Sequence, residues 1–559
     1  MISEIEYWLG RTCPTKVLHC RAGLPRNDRD NSYADWMIAE TGKVRALASA
    51  LFPSAIDAFG SCEQTQRHLL KDALVVNARF EGRDVSCKVD YLERVAGEIR
   101  LYSVVAKPMQ RQLRQEQHLE FYGQDGNLRR DWLEHFELLA LRASIVQQQY
   151  PAYRVVSLAV VPVKNAAASV EGLHGCFELV GKNWRLREPA AVPEASKLLS
   201  IVDVTHEVGA VIETVESKVA ALNRFIENPG HAEIGCECQK CEFRVSGKRS
   251  GFDVCWGQHH GPRPVISGDA QTEGNRLAKP AAVVLPAECR YARRLSLQLE
   301  GATHGHEIIR PDLATELQRA VFPLHFLTIG GLRSLLPVHV GSTVGEPTLF
   351  QFNACRLKNA TGYPEHVAWL NMEASDPSPR FLTQLRAILG ENGTIVIWTR
   401  CTEESFCECL ESSLTSKISG ADLDWLMRFR SSGRILNMHE LCFRHFWHPL
   451  MQNRTSLKAV LAAVWSVDSP LKNSTPFAEY SRDPFALQKS RASVSDDWAA
   501  MQAYLAMHAE GRVDLACDLI RYCDTNTLAM LFVWKYWQWR LQTNSNAETI
   551  ALGAVQEDL

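Results

Sequence analysis

The sequence lacks apolar segments that would insert into a membrane. It also lacks the excess of positive charge that would attract nucleic acid to the protein as a whole. None of its apolar runs approaches the roughly 18 residues that a membrane-spanning helix needs. The N-terminal stretch MISEIEYWLGR has no apolar core of the kind that a signal peptide carries. Its 61 lysines and arginines are matched by 64 aspartates and glutamates, so there is no global attraction to a polyanion. We therefore expect a cytoplasmic protein without a membrane partner, whose nucleic-acid binding would depend on local basic patches.

Internal repeats and low-complexity tracts are also missing, and 559 residues are too many for a single core. In the first half, strands are predicted at 73–80, 85–92 and 98–106, then a helix at 128–148 and a strand at 154–163. This order is typical of an α/β or α+β domain.

The second half again opens with strands. TLFQFNACRL (348–357) is expected to pair with HVAWLNM (366–372), followed by a helix at 378–389 and a buried strand at 393–399. The segment 512–541 contains a long amphipathic helix, in which Trp534, Tyr536, Trp537 and Trp539 are predicted to pack in a core or a subunit interface.

A stretch rich in proline, glycine and alanine, at 262–286, separates the two halves. We predict one domain at 1–265, a linker at 266–310, a second domain at 311–541 and a polar tail at 542–559.

Cysteines, by contrast, are abundant, and the segment 233–260 holds the most specific chemical pattern of the chain. Cys238 and Cys241 form a Cys-x-x-Cys pair, and Cys255 follows 14 residues later. Cys20 could join them from a distant part of the sequence, and Cys236, His259 and His260 are alternative ligands. Four thiolates suit a [4Fe–4S] cluster or zinc, and three thiolates with one histidine suit zinc. The other interpretation is a set of ordinary thiols.

A nuclease site of the PD-(D/E)xK type needs an aspartate, then a glutamate and a lysine on the next strand, to hold a divalent ion. Asp90 in CKVDYL stands at the first place, and Lys107 follows on the next strand. Val105 occupies the place of the glutamate, and a lone carboxylate is a poor site for Mg²⁺. The sequence therefore argues against Mg²⁺ or Mn²⁺ chemistry at this remnant.

The apolar strand FPLHFLTIGG (322–331) lacks acids in a similar way. In metal-dependent exonucleases of the RNase H-like kind, a strand of this type carries Asp-x-Glu. Thr328 and Gly330 stand at those two places here. Thr328 and Gly330 supply no charge for the two metal ions that phosphodiester cleavage uses.

Several segments, in this order, resemble those of a single bacterial family. They are GKVRALASALFP (42–53), VDYL, VVAK, DWLEH (131–135), IVDVTHEV (201–208), CEFR with SGFDVCW, PLHFLTIGG, PTLFQFNACRL, DPSPRFLTQL, FWHPLMQNRTSLKAVL and RYCDTNTLAM. The family is domain of unknown function 2779. The resemblance covers nearly the whole chain and implies a RecB/Cas4-like, restriction-endonuclease-like domain with a cysteine cluster, joined to an RNase H-like mixed sheet with helices.

The same comparison identifies the departures at the second site. Besides Thr328 and Gly330, Asn437 and Asn526 replace aspartates of the family, and only Glu403 matches an expected acid. We predict a nucleic-acid-binding protein that descends from a nuclease and is inactive at both sites, with DNA repair or defence suggested by analogy alone. The alternatives are an active nuclease with displaced ligands (Asp376, Glu373 or Glu440) and a protein–protein scaffold with a structural metal.

Basic residues near the two sites would contact DNA or RNA. The predicted set comprises Arg111, Arg114, Lys248, Arg249 and Arg430, with Arg290, Arg293, Arg294, Arg428 and Arg434 as further members. Trp425 and Phe429 are interleaved with the later arginines and could stack on bases. Ordinary solvated helix faces are the alternative interpretation.

Overall fold

The computed structural model describes residues 1–27, 32–110, 120–187, 192–230, 232, 238, 241–245, 250–257, 294, 296–298, 300–301, 304–414, 417–418, 420–451, 454–491 and 493–557. The chain forms two compact units: unit 1 is Met1–Gly261 with Ser334–Glu346, and unit 2 is Pro262–Arg333 with Pro347–Leu559. The predicted linker stretch 262–286 lies outside the described residues. Both units mix helices with sheets, as predicted. Among the described helices, none is both long and apolar enough to cross a bilayer.

The helices and strands of unit 1 alternate along the chain. In order they are β1 (Ile2–Ser3), α1 (Glu4–Gly10), α2 (Thr15–Arg21), α3 (Ser32–Ala48), β2 (Ile56–Asp57), α4 (Cys62–Leu69), β3 (Val75–Glu81), β4 (Val85–Val95), β5 (Glu98–Val104), α5 (Arg130–Gln149), β6 (Arg154–Pro162), β7 (Phe177–Val180), β8 (Asn183–Leu186), α6 (Val192–Leu198), β9 (Leu199–Asp203), α7 (Thr205–Glu227) and α8 (Gly251–Gly257).

The main sheet of unit 1 has the strand order β2-β3-β4-β5-β6-β9, and β1 also pairs with β4. The predicted antiparallel pair at 73–80 and 85–92 is confirmed as β3 and β4. Strand β6 runs parallel to β5, which requires a crossover, and α5 supplies it. Apolar residues of α5, such as Trp132 and Phe136, are buried in the core against this sheet.

Residues 334–346, which follow a strand of unit 2 in sequence, belong to unit 1. The carboxylate of Glu40 accepts hydrogen bonds from Ser334 Oγ at 2.6 Å and from the backbone N–H of Leu335 at 2.7 Å. Glu171 accepts one from the backbone N–H of Val340 at 2.8 Å. These acids are scattered in the sequence, and no local pattern predicts that they hold this segment.

Unit 2 begins with strands and ends with helices. Its elements are β10 (Ile308–Ile309), α9 (Asp312–Gln318), β11 (Leu324–Arg333), β12 (Pro347–Leu357), β13 (Glu365–Leu370), α10 (Ser378–Leu389), β14 (Thr394–Ile397), α11 (Glu403–Leu414), α12 (Ala421–Ser431), β15 (Ile435–Asn437), α13 (Met438–His445), β16 (Phe446–Trp447), α14 (Leu457–Ser466), α15 (Pro484–Arg491), α16 (Asp497–Ala509) and α17 (Leu515–Glu557).

The sheet of unit 2 is mixed, with the strand order β13-β12-β11-β14-β15. Strand β12 is antiparallel to β11 and to β13, which confirms the predicted pairing of 348–357 with 366–372. Strands β11, β14 and β15 run parallel. The carboxyl ends of these three strands therefore lie at one edge of the sheet, where side chains from different strands meet.

Helix α17 is longer than the sequence predicts, since it continues through the stretch expected to be a polar tail. Trp534, Tyr536 and Trp537 are almost fully buried in the core of unit 2, as predicted. The apolar face of α17 is thus explained by packing within the unit.

Candidate functional site

Asp90 lies on β4, at the place of the first acid of the predicted PD-(D/E)xK site. Its Oδ2 accepts a hydrogen bond from the backbone N–H of Val104 at 2.9 Å. Two arginines face the same carboxylate: Arg142 Nη1 lies 3.5 Å from Oδ2, and Arg45 Nε lies 3.5 Å from Oδ1. Since arginine stays protonated in proteins, a permanent positive charge stands on each side of this carboxylate.

Arg142 is the more enclosed of the two arginines, with 12% of its side chain exposed against 53% for Arg45. It also donates hydrogen bonds to Glu4 Oε1 at 2.6 Å and to Ser103 Oγ at 2.8 Å. Burial disfavours the guanidinium charge, but Glu4 and Asp90 raise the pKa of Arg142 above its ordinary value. Asp90 therefore belongs to an internal ion-pair network.

Val105, at the position of the expected glutamate, is buried in the core of unit 1. Lys107 Nζ lies 2.8 Å from Asp131 Oδ2 and 4.4 Å from the ring centroid of Trp132. Although burial raises the pKa of Asp131, the hydrogen bond from Lys107 is among the contacts that lower it below its usual value. Lys107 is thus paired with a carboxylate other than Asp90.

The cysteine segment lies beside an apolar cluster that includes Cys241 and Phe243. Cys20 and Cys238 pack against the same cluster. Three of the predicted alternative ligands, Cys236, His259 and His260, lie outside the described residues.

Other thiols lie near enough to Cys255 to affect its ionisation. Burial, and after it the neighbouring thiols of Cys13, Cys241 and Cys238, raise the pKa of Cys255 to about 12. His19 Nε2 lies 3.1 Å from Cys255 Sγ. Within the described part of the chain, no three His, Cys, Asp or Glu side chains are arranged so that they could hold a metal ion. The thiol groups near Cys255 are still chemically suited to a thiophilic cation. The positive charge of such a cation would offset the repulsion between neighbouring thiolates.

Cys13, which is not among the predicted ligands, is another thiol near Cys255, and Cys20 packs against the same apolar cluster as Cys238. Cys13 lies in the turn between α1 and α2, directly before Pro14, whereas Cys20 lies in the last turn of α2. No spacing pattern connects Cys13 with Cys255, so the sequence alone gives no signal for this proximity.

The substituted positions of the second site lie on β11, opposite β12. Thr328 pairs with Asn353, and Gly330 pairs with Gln351. A Cβ atom on Gly330 would come within 2.5 Å of Gln351 Cγ. The Gln351 side chain therefore fills the space that a side chain at position 330 would need, and its Nε2 donates to Cys523 Sγ at 2.8 Å.

The two asparagines make hydrogen bonds to the protein backbone. Asn437 Oδ1 accepts from the N–H groups of Thr399 and His439, and its Nδ2 donates to the carbonyls of Thr399 and Cys401, at 2.9–3.2 Å. Asn526 Nδ2 donates to a carbonyl one helical turn earlier at 2.9 Å. An aspartate at position 437 could not donate the two Nδ2 bonds, so the amide has a structural role.

Glu403 and the substituted positions of β11 line different cavities of unit 2. Glu403 and Asn437 line a cavity of about 630 Å³, where burial first, and then Glu404 and Glu440, raise the pKa of Glu403. Thr328, Gly330 and Asn526 line a separate cavity of about 610 Å³. The remaining acid does not stand among the substituted positions of β11.

The acids considered as displaced ligands are held in pairs. Asp376 lies 2.9 Å from Lys417 Nζ, Glu440 lies 2.5 Å from Arg444 Nε, and Glu373 pairs with Arg380. Asp524, two residues from Asn526 in sequence, pairs with His366 Nδ1 at 2.8 Å. Hydrogen bonds with Asp524 and then with Cys355 raise the pKa of His366 to about 10.

The predicted base-stacking surface is wrong. Trp425 and Phe429 are buried in a core of unit 2 and stack on each other, so they cannot reach bases. Arg430 Nη1 lies 2.7 Å from Glu411 Oε2. Arg434 donates to backbone carbonyls of 389–393, and the buried Arg294 donates to the carbonyls of residues 442 and 446. The other predicted cations Arg111, Arg114, Lys248, Arg249, Arg290 and Arg293 lie outside the described residues.

Comparison of the chain with protein-family models, with curated proteins and with solved structures found no match. The functional argument therefore rests on the residues themselves.

Proposed function

We propose that the protein binds nucleic acid and does not cleave it, and that it derives from a nuclease with two catalytic regions. The observation that carries this proposal is the environment of Asp90. Its carboxylate is paired with Arg142 and Arg45 and lacks the glutamate partner that a metal site of this type requires. The second region supports the same conclusion, because amides, a threonine and a glycine replace its acids.

Membership of the family domain of unknown function 2779 is part of this proposal. In unit 1, Asp90 and Lys107 come from adjacent antiparallel strands or their ends, as a restriction-endonuclease-like assignment requires. In unit 2, a five-stranded mixed sheet with helices is what an RNase H-like assignment predicts. Both are arguments from the arrangement of elements and leave the natural nucleic acid open.

We propose that exposed arginines contact phosphates within each unit taken by itself. In unit 1, Arg45 is more than half exposed, so its guanidinium can meet a phosphate on its solvent side while it faces Asp90 on the other. Arg333 and Arg400 in unit 2 are exposed beside the cavity that contains Thr328 and Gly330. Guanidinium groups of this kind bind phosphates, and such contacts weaken as salt concentration rises.

A thiolate-bound cofactor near Cys255 is also proposed, with a [4Fe–4S] cluster as the first choice and zinc as the alternative. The proposed ligands are Cys20, Cys238, Cys241 and Cys255, as the sequence predicts, and Cys13 is a further thiol near Cys255. Metal and sulfide analysis of anaerobically purified protein tests this set. Loss of the metal in Cys255→Ser and in Cys241→Ser is expected, with retention in the exposed control Cys517→Ser, and metal retained in both ligand variants would contradict the set.

Fluorescence anisotropy with labelled single- and double-stranded DNA and RNA tests the binding function. Affinity is expected to fall with a linear dependence of its logarithm on the logarithm of salt concentration. The double variant Arg333→Gln/Arg400→Gln should reduce that slope, whereas Arg512→Gln, an exposed arginine paired with Asp514, should leave it unchanged. Absence of binding to all four substrates would favour the scaffold interpretation.

A further inference from the structure

His19 contacts Cys255 although the two residues lie 236 positions apart in the sequence. His19 belongs to α2 and Cys255 to α8, and both helices are part of unit 1. The Nε2 atom of His19 lies 3.1 Å from the Sγ atom of Cys255. A ring nitrogen is therefore in contact with one of the thiols that are proposed as metal ligands.

The imidazole ring of His19 is held in place from two sides. Only 7% of the residue is exposed, and its ring lies edge-on to the ring of Phe243, with the centroids 5.3 Å apart. A Cβ atom on Gly251 would come within 2.7 Å of His19 Cδ2 and 3.0 Å of Phe243 Cβ. Glycine at position 251 therefore leaves the space that the ring needs, at the first position of the helix that carries Cys255.

Polar contacts attach the cysteine segment to the N-terminal region that carries His19. Asn27 donates from its backbone N–H to the carbonyl of Glu242 at 2.7 Å, and from Nδ2 to the carbonyl of Cys241 at 3.1 Å. Lys16 Nζ lies 2.8 Å from Glu242 Oε2, and only 5% of the Lys16 side chain is exposed. These contacts fix the position of the cysteine segment relative to α2.

The distance between His19 and Cys255 favours a hydrogen bond over joint ligation of one metal ion. A nitrogen about 2.0 Å and a sulfur about 2.3 Å from a tetrahedral metal lie about 3.5 Å from each other. The observed 3.1 Å is shorter than that separation. In the tautomer that is protonated at Nε2, His19 can donate its N–H to the sulfur, and a metal-bound thiolate is a good acceptor because it carries negative charge.

We propose that His19 is a positioning residue of the metal site, which donates a hydrogen bond to the ligand sulfur of Cys255 and does not bind the metal itself. This inference rests on the proposed thiolate-bound cofactor. A hydrogen bond to a ligand sulfur offsets part of its negative charge. In an iron–sulfur cluster this favours the reduced form, which holds one more electron, and so raises the reduction potential. At a zinc site it stabilises the bound thiolate and strengthens metal binding.

The test uses the anaerobically purified full chain and begins with its metal and sulfide content. His19→Leu removes the ring N–H, whereas His19→Gln keeps a side-chain N–H at a similar reach. For an iron–sulfur cluster, a redox titration followed by visible absorbance should give a more negative midpoint potential in His19→Leu. For zinc, competition with a chromogenic chelator should show about tenfold weaker binding. His19→Gln and the exposed control His206→Leu should match the unmodified protein.

Metal content that is unchanged in His19→Leu, with a shifted potential or affinity that His19→Gln restores, supports the inference. Gly251→Ala displaces the ring without changing its chemistry, so it should shift the same quantity in the same direction, and it decides the question if His19→Leu does not fold.

Two results overturn the inference and leave the proposed cofactor standing. One is a potential or affinity that neither His19→Leu nor Gly251→Ala changes. The other is complete loss of the metal from a folded His19→Leu protein, which would make His19 a ligand. If the unmodified protein holds no metal, the proposed cofactor and the inference both fail.

Discussion

Asp90 in unit 1 and Gly330 in unit 2 show two ways in which a site can lack divalent-metal ligands. Around Asp90 the acid is present, but Arg142 and Arg45 compensate its charge, and the neighbouring position 105 is part of the core. Around Gly330 the acids are absent, and Gln351 fills the nearest space while a cavity remains open beside it. Asp90 thus belongs to an ion-pair network, whereas Gly330 lies beside an open cavity.

The largest expected effect on stability concerns the ion pairs of Arg142 with Glu4 and Asp90. Arg142→Met should lower the free energy of unfolding of unit 1 by about 2 kcal/mol, because it leaves the partly buried Glu4 without its cation and Asp90 with Arg45 alone. Arg45→Met is the matched control, since it faces the same carboxylate from an exposed position, and should cost about 1 kcal/mol or less. Urea denaturation measures both. Equal losses in the two variants would show that Arg142 is not the compensating charge.

An intermediate effect on stability is expected at Gly330, because the Gln351 side chain fills the space beside it. Gly330→Ala should cost about 1–2 kcal/mol of stability, because its new Cβ forces Gln351 away from Cys523. In a Gly330→Ala/Gln351→Ala double variant this clash is absent, so the two changes should cost about 1 kcal/mol less together than the sum of the single variants. Additive losses in the denaturation curves would mean that Gln351 does not occupy this space.

The smallest expected effect is the pH dependence of stability that comes from the pair of Asp524 and His366. Hydrogen bonds with Asp524 and Cys355 raise the pKa of His366 from 6.5 to about 10, so protonated His366 stabilises the fold. This contribution is fully present below about pH 6.5 and is lost as pH rises towards 10. For a partly exposed pair it amounts to about 1 kcal/mol. Asp524→Asn should therefore reduce the difference between the free energies of unfolding measured by urea denaturation at pH 6 and at pH 9. A difference equal to that of the unmodified protein would contradict the pairing of Asp524 with His366.

Sequence patterns predicted the longer strands of both sheets because apolar alternation and continuous apolar runs are local signals, whereas the short strands β1, β2, β9 and β15 were not predicted. The hairpin at β3 and β4, the pair β12 and β13, and helix α10 follow these signals closely. Local sequence patterns did not predict the long-range contacts. No local pattern shows that residues 334–346 belong to unit 1, or that Trp425 faces a core and not solvent.

In the candidate sites, too, local sequence patterns predicted residue types but not the long-range contacts between them. The resemblance predicts which acids are replaced, but the compensation of Asp90 depends on Arg142, which lies 52 positions away on a crossover helix. Cys13 was missed because its proximity to Cys255 arises from folding and not from spacing. The separation of Glu403 from Thr328 and Gly330 likewise depends on where neighbouring strands end.

The most direct test of the account is a cleavage time course on end-labelled single- and double-stranded DNA and RNA. Anaerobically purified protein is incubated with Mg²⁺ or Mn²⁺, and EDTA serves as the control. The account predicts intact strands under all conditions, on substrates that the protein binds in the anisotropy assay. Metal-dependent products that disappear in Asp90→Asn or Glu403→Gln would contradict it, because the corresponding carboxylate would then be a working ligand.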